Sequence, residues 1–209
     1  MKGPAWKQED GRGYLHFTGQ ESAQLHFKPV LQGRDAPPEI TQGVLEQYGV
    51  PYEGYKPIFP LKQFTYEWWM RPKKPAKNPG QMTVFHSRFN PICRLDHLTD
   101  KEGQCHLYYQ NDIFCGKKIR LEGAVQYQYW THVVVTHGEG KVVLYLNGQK
   151  ACETDYDPQG PGFWMNRCCL YFGRWMAGLN GGGQGFSGDL GPFRLYARAR
   201  SPGGGPAVS

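Results

Sequence analysis

Residues 130–153, WTHVVVTHGEGKVVLYLNGQKACE, decide how this chain folds. Apolar and polar residues alternate on both sides of the Gly-Glu-Gly at 138–140, which is the pattern of two β-strands joined by a tight turn. The Asn-Gly at 147–148 follows the second strand, and both residue types tolerate the positive φ of another tight turn. The stretch therefore predicts a three-stranded antiparallel meander, in which residues 149–154 pair back on the preceding strand.

The composition of the 209-residue chain agrees with an all-β protein. The chain contains 28 Gly, 16 Pro, 11 Phe, 13 Tyr and 6 Trp, in short alternating runs that favour strands and turns over helices. No window has a sustained helical period, although residues 42–55 could form about one or two helical turns before Pro51. A chain of this length can bury its core as one domain without disulfide bonds.

Four other segments occur in the order and spacing of a known family. Each reads as a strand: YLHFTG at 14–19, FTYEWWMRP at 64–72, LYFG at 170–173 and FSGDLGPFRLY at 186–196. Together with residues 130–153, these segments resemble the laminin-G-like, concanavalin A-like lectin-glucanase jelly-roll domains. The resemblance implies an all-β fold, an antiparallel β-sandwich. Because many unrelated functions share this fold, it specifies no activity.

The chain is predicted to hold one domain with three additions. Residues 1–12 are interpreted as an N-terminal extension, 13–200 as a single laminin-G-like β-sandwich, and 201–209 as a disordered tail. The connection after the first strand is unusually long and carries a Pro/Tyr-rich insertion at residues 32–60. This insertion either covers a sheet edge or contacts another protein.

Catalysis is not expected, because the carboxylate patterns of jelly-roll glycoside hydrolases are missing. Those enzymes place paired carboxylates on one strand, as Glu-x-Asp-x-x-Glu or Glu-x-Asp-x-Glu, so that an acid and a nucleophile face one groove. Here acidic residues such as Glu67 and Glu122 occur singly, and Gly-x-Ser-x-Gly is absent. His132 occupies a position commonly filled by His in the family, and we interpret it as a packed or hydrogen-bonded strand residue.

Calcium is the cofactor that the resemblance raises, since many family members hold it at loop ends of the sandwich. Calcium needs several oxygen ligands, usually with two or more carboxylates. Two positions that are acidic in many relatives differ here, where the chain has QES at 20–22 and GP at 191–192. We therefore expect no cofactor. The only candidate ligands for a calcium ion are Glu21, Asp155, Asp157 and Asp189.

The six cysteines leave three interpretations open. They could be buried free thiols, disulfide partners or zinc ligands. A zinc site would draw on the sulfur and nitrogen donors of Cys93, His97, Cys105, His106 and Cys115. No Cys-x-x-Cys pair is present, which favours thiols or a disulfide over zinc.

Glycan binding is one candidate function, because members of the family often bind glycans. A sugar could stack on Trp164 or Trp175, since a small concave site combines an apolar platform with a few polar groups. The glycine-rich loop at 173–185 could offer hydrogen bonds through Asn180 and Gln184. The alternative is that both tryptophans pack on neighbouring loops.

A non-catalytic protein-interaction or structural role in a larger assembly is the function that the sequence favours. The Pro/Tyr-rich insertion presents Tyr48, Tyr52 and Tyr55 as candidate contacts for a protein partner. The chain has 24 Lys and Arg against 18 Asp and Glu. Two of its three basic clusters lie beside proline or turn residues, as solvated loops do, so nucleic acid is not an expected partner.

The compartment is predicted from what the sequence lacks. The start has no apolar run of signal-peptide length, and no stretch of ~18 apolar residues could span a membrane. We therefore expect a cytoplasmic or other intracellular assembly, for example in a cilium or the cytoskeleton. An extracellular setting is expected instead if the sequence is a domain excised from a longer protein.

Overall fold

The computed structural model describes residues 3–26, 63–74, 81–86, 92–96, 103–111, 120–156, 169–174, 184–196 and 198–202. Within these ranges, the regular secondary structure consists of β-strands, as the alternating sequence predicts. No helix capable of crossing a membrane occurs in this described part of the chain. The helical turns predicted at 42–55, and the whole insertion at 32–60, lie outside the described residues.

Two antiparallel sheets form the domain. Seven strands make the first sheet: β1 (Ala5–Glu9), β2 (Arg12–Thr18), β4 (Phe64–Pro72), β9 (Thr131–Gly138), β10 (Lys141–Leu146), β11 (Gln149–Asp155) and β14 (Ser187–Tyr196). The second sheet contains the remaining strands: β3 (Ala23–His26), β5 (Gln81–His86), β6 (Ile92–Asp96), β7 (Gln104–Gln110), β8 (Arg120–Gln126), β12 (Cys169–Phe172) and β13 (Gln184–Gly185).

The strand order shows how distant parts of the chain meet. Hydrogen bonding joins the first sheet in the order β1-β2-β14-β4-β9-β10-β11 and the second in the order β3-β12-β5-β6-β7-β8. The short β13 pairs with β5 in parallel, and the other neighbours are antiparallel. The last strand, β14, therefore lies between β2 and β4, which come from the first third of the chain.

The predicted meander is confirmed as β9, β10 and β11. In the register, Leu144 faces Val135 on one side and Cys152 on the other. The first turn has positive φ at Glu139 and Gly140, and the second has φ of 51° at Asn147 and 82° at Gly148. These are the conformations that the Asn-Gly pair was expected to supply.

The sheet begins earlier in the chain than the resemblance suggested. The segment predicted as an N-terminal extension contains β1, which pairs with β2 from Ala5 opposite His16 to Glu9 opposite Arg12. Every residue of β1 is exposed, as befits an edge strand. Residues 1–12 therefore contribute a strand to the first sheet.

The core lies between the facing surfaces of the two sheets. Strand β4 alternates strictly, with Phe64, Tyr66, Trp68 and Met70 buried on its inner side. Eight of the apolar residues in these strands are buried in this core: Phe17, Phe64, Tyr66, Trp68, Val133, Val135, Leu144 and Phe172. Four others pack against the core while partly buried: Leu15, Leu146, Phe193 and Leu195. Full burial of each large apolar side chain stabilises the fold by about 1.5–3 kcal/mol.

Three of the cysteines, Cys93, Cys105 and Cys152, form no disulfide bond. Cys93 and Cys105 are buried in the core, and Cys152 is half-buried. Burial raises the pKa of the Cys93 thiol well above its ordinary value. Cys105 and His106 are adjacent in β7 and point to opposite faces of the sheet, so they cannot bind one zinc ion together. His97 and Cys115 lie outside the described residues.

Candidate functional site

The outward face of the first sheet carries polar and aromatic side chains. Because Tyr66, Trp68 and Met70 of β4 point into the core, the intervening Glu67, Trp69 and Arg71 point outward. Trp69 lies opposite His132 of β9, and their rings stack with centroids 4.7 Å apart. The half-buried Trp69 is therefore fixed at the centre of this face.

Two adjoining cavities share Trp69 and form what we call the aromatic groove. The larger, of about 750 Å³, is lined by Glu9, Asp10, Arg12, Gly13, Tyr14, Trp69, Trp130, Gly191, Pro192 and Arg194. The smaller, of about 430 Å³, is lined by Trp69, His132, Asn147, Gly148 and Pro202. The groove crosses the sheet from β2 to the turn after β10, four strand spacings or about 19 Å at ~4.8 Å each. This length suits a short extended ligand.

An irregularity in β14 opens the floor of the groove. Leu190 faces Met70 and Phe193 faces Trp68, so three steps along β14 match two along β4. The bulge leaves Pro192 outside the hydrogen-bonded ladder, which is how a central strand can contain proline. A Cβ atom at Gly191 would lie 3.0 Å from the Trp69 Cβ and 3.6 Å from the Trp130 Cζ3. The absent side chain therefore keeps the two tryptophans accessible.

Arg71 organises one side of the groove through ion pairs. Its Nε donates to Asp189 Oδ2 at 2.8 Å, and its Nη1 lies 2.9 Å from Glu9 Oε2. His16 Nδ1 donates to the other Asp189 oxygen at 2.6 Å. Partial burial opposes the charge of Arg71, but the hydrogen bond and charge of Asp189, with Glu9, raise its pKa. Both Asp189 oxygens are therefore engaged by protein donors.

The same guanidinium supports two aromatic rings of the groove. The Arg71 Cζ lies 4.8 Å from the Trp130 ring centroid and 5.5 Å from that of Tyr14. Tyr14 and Trp130 meet edge to face, with centroids 5.6 Å apart. Such cation–π contacts contribute about 0.5–1 kcal/mol at exposed sites. The arrangement fixes Trp130 before any ligand binds.

Glu67 is held ionised beneath the other half of the groove. It accepts hydrogen bonds from Tyr196 Oη at 2.7 Å and His132 Nε2 at 3.1 Å, and Arg194 Nη1 lies 3.5 Å away. Burial acts to raise the pKa of Glu67, but these hydrogen bonds and the charges of His132 and Arg194 lower it overall. His132 is a hydrogen-bonded strand residue, as predicted. Glu67 therefore holds no proton to donate near neutral pH.

Of the carboxylates predicted as calcium ligands, the three that the structure describes, Glu21, Asp155 and Asp189, do not meet at one place. Glu21 is buried and accepts from the backbone N–H and hydroxyl of Thr18, at 2.7 and 2.8 Å. Asp189 binds Arg71 and His16, and Asp155 is exposed at the end of β11. Among the described residues, no three His, Cys, Asp or Glu side chains form a metal-binding group. The donor set in this part of the chain therefore does not fit calcium.

Most side chains predicted to bind a ligand or protein lie outside the described ranges. They are Tyr48, Tyr52, Tyr55, Asp157, Trp164, Trp175 and Asn180. Gln184 lies in β13, where its backbone pairs with Met82. The groove residues Tyr14, Trp69 and Trp130 were not predicted from the sequence. A usable signal was present, since the inward position of Trp68 requires Trp69 to face outward.

Solved structures similar to this domain share its fold at low sequence identity. Domain 4 of the extracellular GH43 arabinanase AbnA from Geobacillus stearothermophilus, in complex with arabinotriose, is 15% identical with a TM-score of 0.55, covering 97% of this chain and 79% of that one. The binding domain of botulinum neurotoxin serotype C1 is 12% identical with a TM-score of 0.53. That match covers 95% of this chain and 43% of the toxin domain, so the chain spans less than half of it.

A second toxin structure is also similar in fold at low sequence identity, whereas a family profile identifies the family. The binding domain of botulinum neurotoxin DC, in complex with rat synaptotagmin II, is 9% identical with a TM-score of 0.52, covering 95% of this chain and 43% of that one. No curated protein matches the sequence. The Laminin G 3 profile, of the concanavalin A-like lectin/glucanases superfamily, matches residues 52–203. With its two antiparallel sheets, the chain therefore belongs to the concanavalin A-like lectin/glucanase superfamily.

Proposed function

We propose that this domain is a non-catalytic module that binds a neutral oligosaccharide in the aromatic groove. The observation that carries the proposal is the cluster of the half-buried Trp69, Trp130 and Tyr14, which line a cavity on the outward face of the first sheet. Aromatic rings offer flat apolar platforms to sugar rings, and a few polar groups beside them orient the ligand. The groove thus favours the glycan-binding alternative over the protein-interaction role that the sequence alone favoured.

The ion pairs around the groove support a neutral ligand, and the two further charged residues that line it, Asp10 and Arg12, have opposite signs. Arg71 already faces Glu9 and Asp189, and Arg194 faces Glu67. A charged ligand would have to compete with these ion pairs. The hydroxyls of a sugar can instead hydrogen-bond to those polar atoms of the paired side chains that face solvent. Electrostatic attraction would contribute little, so affinity should change little with salt concentration.

The two carboxylates that lie beneath the groove, Glu67 and Asp189, support a binding role without hydrolysis. A glycosidase needs a protonated acid with a raised pKa, and a second carboxylate placed to act on the same bond. The pKa of Glu67 is lowered, and Asp189 is buried with both oxygens hydrogen-bonded. Neither group is placed to act as an acid.

The arabinanase domain supports a choice of first probe. Its structure holds arabinotriose, and that domain aligns with nearly the whole of this chain. Arabinotriose is therefore the first ligand to test, within an array of neutral and charged glycans. A protein partner, as rat synaptotagmin II is for one toxin domain, is the second candidate.

The test compares two adjacent aromatic residues. Trp130 lines the groove, whereas Tyr129 is 67% exposed and does not. The array should retain a neutral glycan, and in calorimetry Trp130→Ala should weaken its binding about tenfold, corresponding to about 1.4 kcal/mol. Tyr129→Ala should bind as wild type, and raising the salt concentration should not change the affinity.

Two results would refute the proposal. An array that retains no glycan would exclude glycan binding. Equal loss of affinity in Trp130→Ala and Tyr129→Ala would place the ligand elsewhere. A protein captured equally by wild type and Trp130→Ala would favour the protein-interaction alternative.

A further inference from the structure

A short segment near the C-terminus crosses the same outward face beside the groove. Residues 198–202, which we call the C-terminal strap, follow β14 and bind two threonines of neighbouring strands. The Thr65 hydroxyl donates to the Arg198 carbonyl at 2.9 Å and accepts from the Arg200 N–H at 2.9 Å. The Thr136 hydroxyl donates to the Arg200 carbonyl. The two threonine hydroxyls thus hold the strap together with a backbone β-bridge at Arg200.

Burial under the strap shows that it is part of the fold. Thr65, Thr136 and Val134 point outward from the first sheet, yet they are only 1%, 3% and 3% exposed. The guanidinium of Arg200 also lies over the Tyr196 ring, 4.1 Å from its centroid. The strap therefore covers Thr65 and Thr136 on the part of this face that lies beside the groove.

The strap reaches the groove at Pro202. Pro202 lines the smaller cavity together with Trp69, His132, Asn147 and Gly148. Trp69 and His132 form the floor, the turn after β10 forms one end, and Pro202 forms a wall. Without the strap, this end of the groove would be open toward Thr136. The larger cavity, around Trp130 and Tyr14, has no contribution from the strap.

We infer that the strap builds a second sugar subsite at the His132 end of the groove, and that Thr65 and Thr136 are the positioning residues that hold it there. This inference rests on the proposed function. A short oligosaccharide bound at Trp130 would not reach Pro202. A longer one would extend over Trp69 into the walled cavity and gain affinity there. The strap thereby sets the preference of the module for ligand length.

The test removes the two hydroxyls without changing side-chain shape. Thr65→Val/Thr136→Val should release the strap, and trypsin should then cleave after Arg198 and Arg200 at least about tenfold faster, because exposed mobile backbone is cleaved preferentially. Thr65→Ser/Thr136→Ser retains the hydroxyls and should be cleaved at the wild-type rate. Thr83→Val, at a buried threonine of the second sheet, controls for general destabilisation.

The second readout is binding of linear arabino-oligosaccharides from the disaccharide upward. In wild type, affinity should rise with length until both cavities are filled. The double valine variant should lose that gain, while binding of the shortest member that binds wild type stays unchanged. A purely structural role would instead weaken all lengths equally.

Each contrary result has a distinct meaning. Unchanged cleavage in the double valine variant would show that the threonines do not hold the strap. Faster cleavage with unchanged length dependence would show that the strap does not shape the ligand site. Wild type that binds no member of the series would overturn the subsite inference for this ligand, while a glycan array would still decide the proposed function separately.

Discussion

Acidification should destabilise this domain well above the pH at which its carboxylates titrate. His86 and His137 are buried. Burial lowers the pKa of His86 from 6.5 to about 4, against the effect of a hydrogen bond to the Arg174 carbonyl, and burial also lowers the pKa of His137 well below 6.5. The unfolded chain binds these protons below about pH 6.5, whereas the folded chain does not.

The direction and size of the pH effect on stability follow from this difference in bound protons between the folded and unfolded chains. Each histidine contributes stability that is present above its unfolded pKa and is lost as the pH falls toward its folded pKa. For His86, whose pKa changes from 6.5 to about 4, the loss amounts to about 3 kcal/mol at ~1.4 kcal/mol per unit. His137 acts in the same direction. Glu21 and Glu67, whose pKa values are lowered from 4.5, add a loss only at lower pH.

Urea unfolding at a series of pH values between about 7.5 and 5 measures this dependence. His137→Phe is the informative variant, because His137 already stacks on Phe64 with ring centroids 4.1 Å apart. Its unfolding free energy should fall less steeply with decreasing pH, by up to about 1.4 kcal/mol per unit. Trp6→Ala, which removes no titratable group from an exposed position, should keep the wild-type slope. An unchanged slope in His137→Phe would refute the reasoning.

Two other predictions concern packing and thiol chemistry. Trp68→Ala should lower the unfolding free energy by about 3–5 kcal/mol, because it empties a fully buried site. Trp6→Ala should change it by less than about 0.5 kcal/mol, since Trp6 is 70% exposed, and urea unfolding compares the two. A thiol reagent should label Cys152 in the native protein but Cys93 and Cys105 only after unfolding. Mass spectrometry showing native labelling of Cys93 would contradict the described core.

The fold could be predicted where local rules and tertiary packing agree. In the meander, period-two alternation and an Asn-Gly turn both require paired strands, and residues 131–155 form them. Strand β1 was missed for a physical reason. Its sequence, AWKQE, lies at a sheet edge with every residue exposed, so no alternation between core and solvent marks it.

The site could be predicted less well, because it is assembled from strands that are neighbours only in the fold. Trp69 could have been assigned outward from its alternation with Trp68. No local pattern indicates that Trp130 would stand beside it, or that a bulge at 191–192 would expose both rings. The aromatic residues of the groove can therefore be found in the sequence, but no local pattern predicts that they lie together in the fold.

The position of β14 has a consequence for how the domain forms. This strand follows the other described strands in sequence but lies between β2 and β4, so Asp189 meets His16 across 173 residues of sequence. Until it is synthesised, β2 and β4 each lack a hydrogen-bonding neighbour, and their unpaired edges stay open to other chains. Such long-range pairing makes folding slow. On the ribosome, the nascent chain is therefore expected to depend on chaperones until β14 emerges.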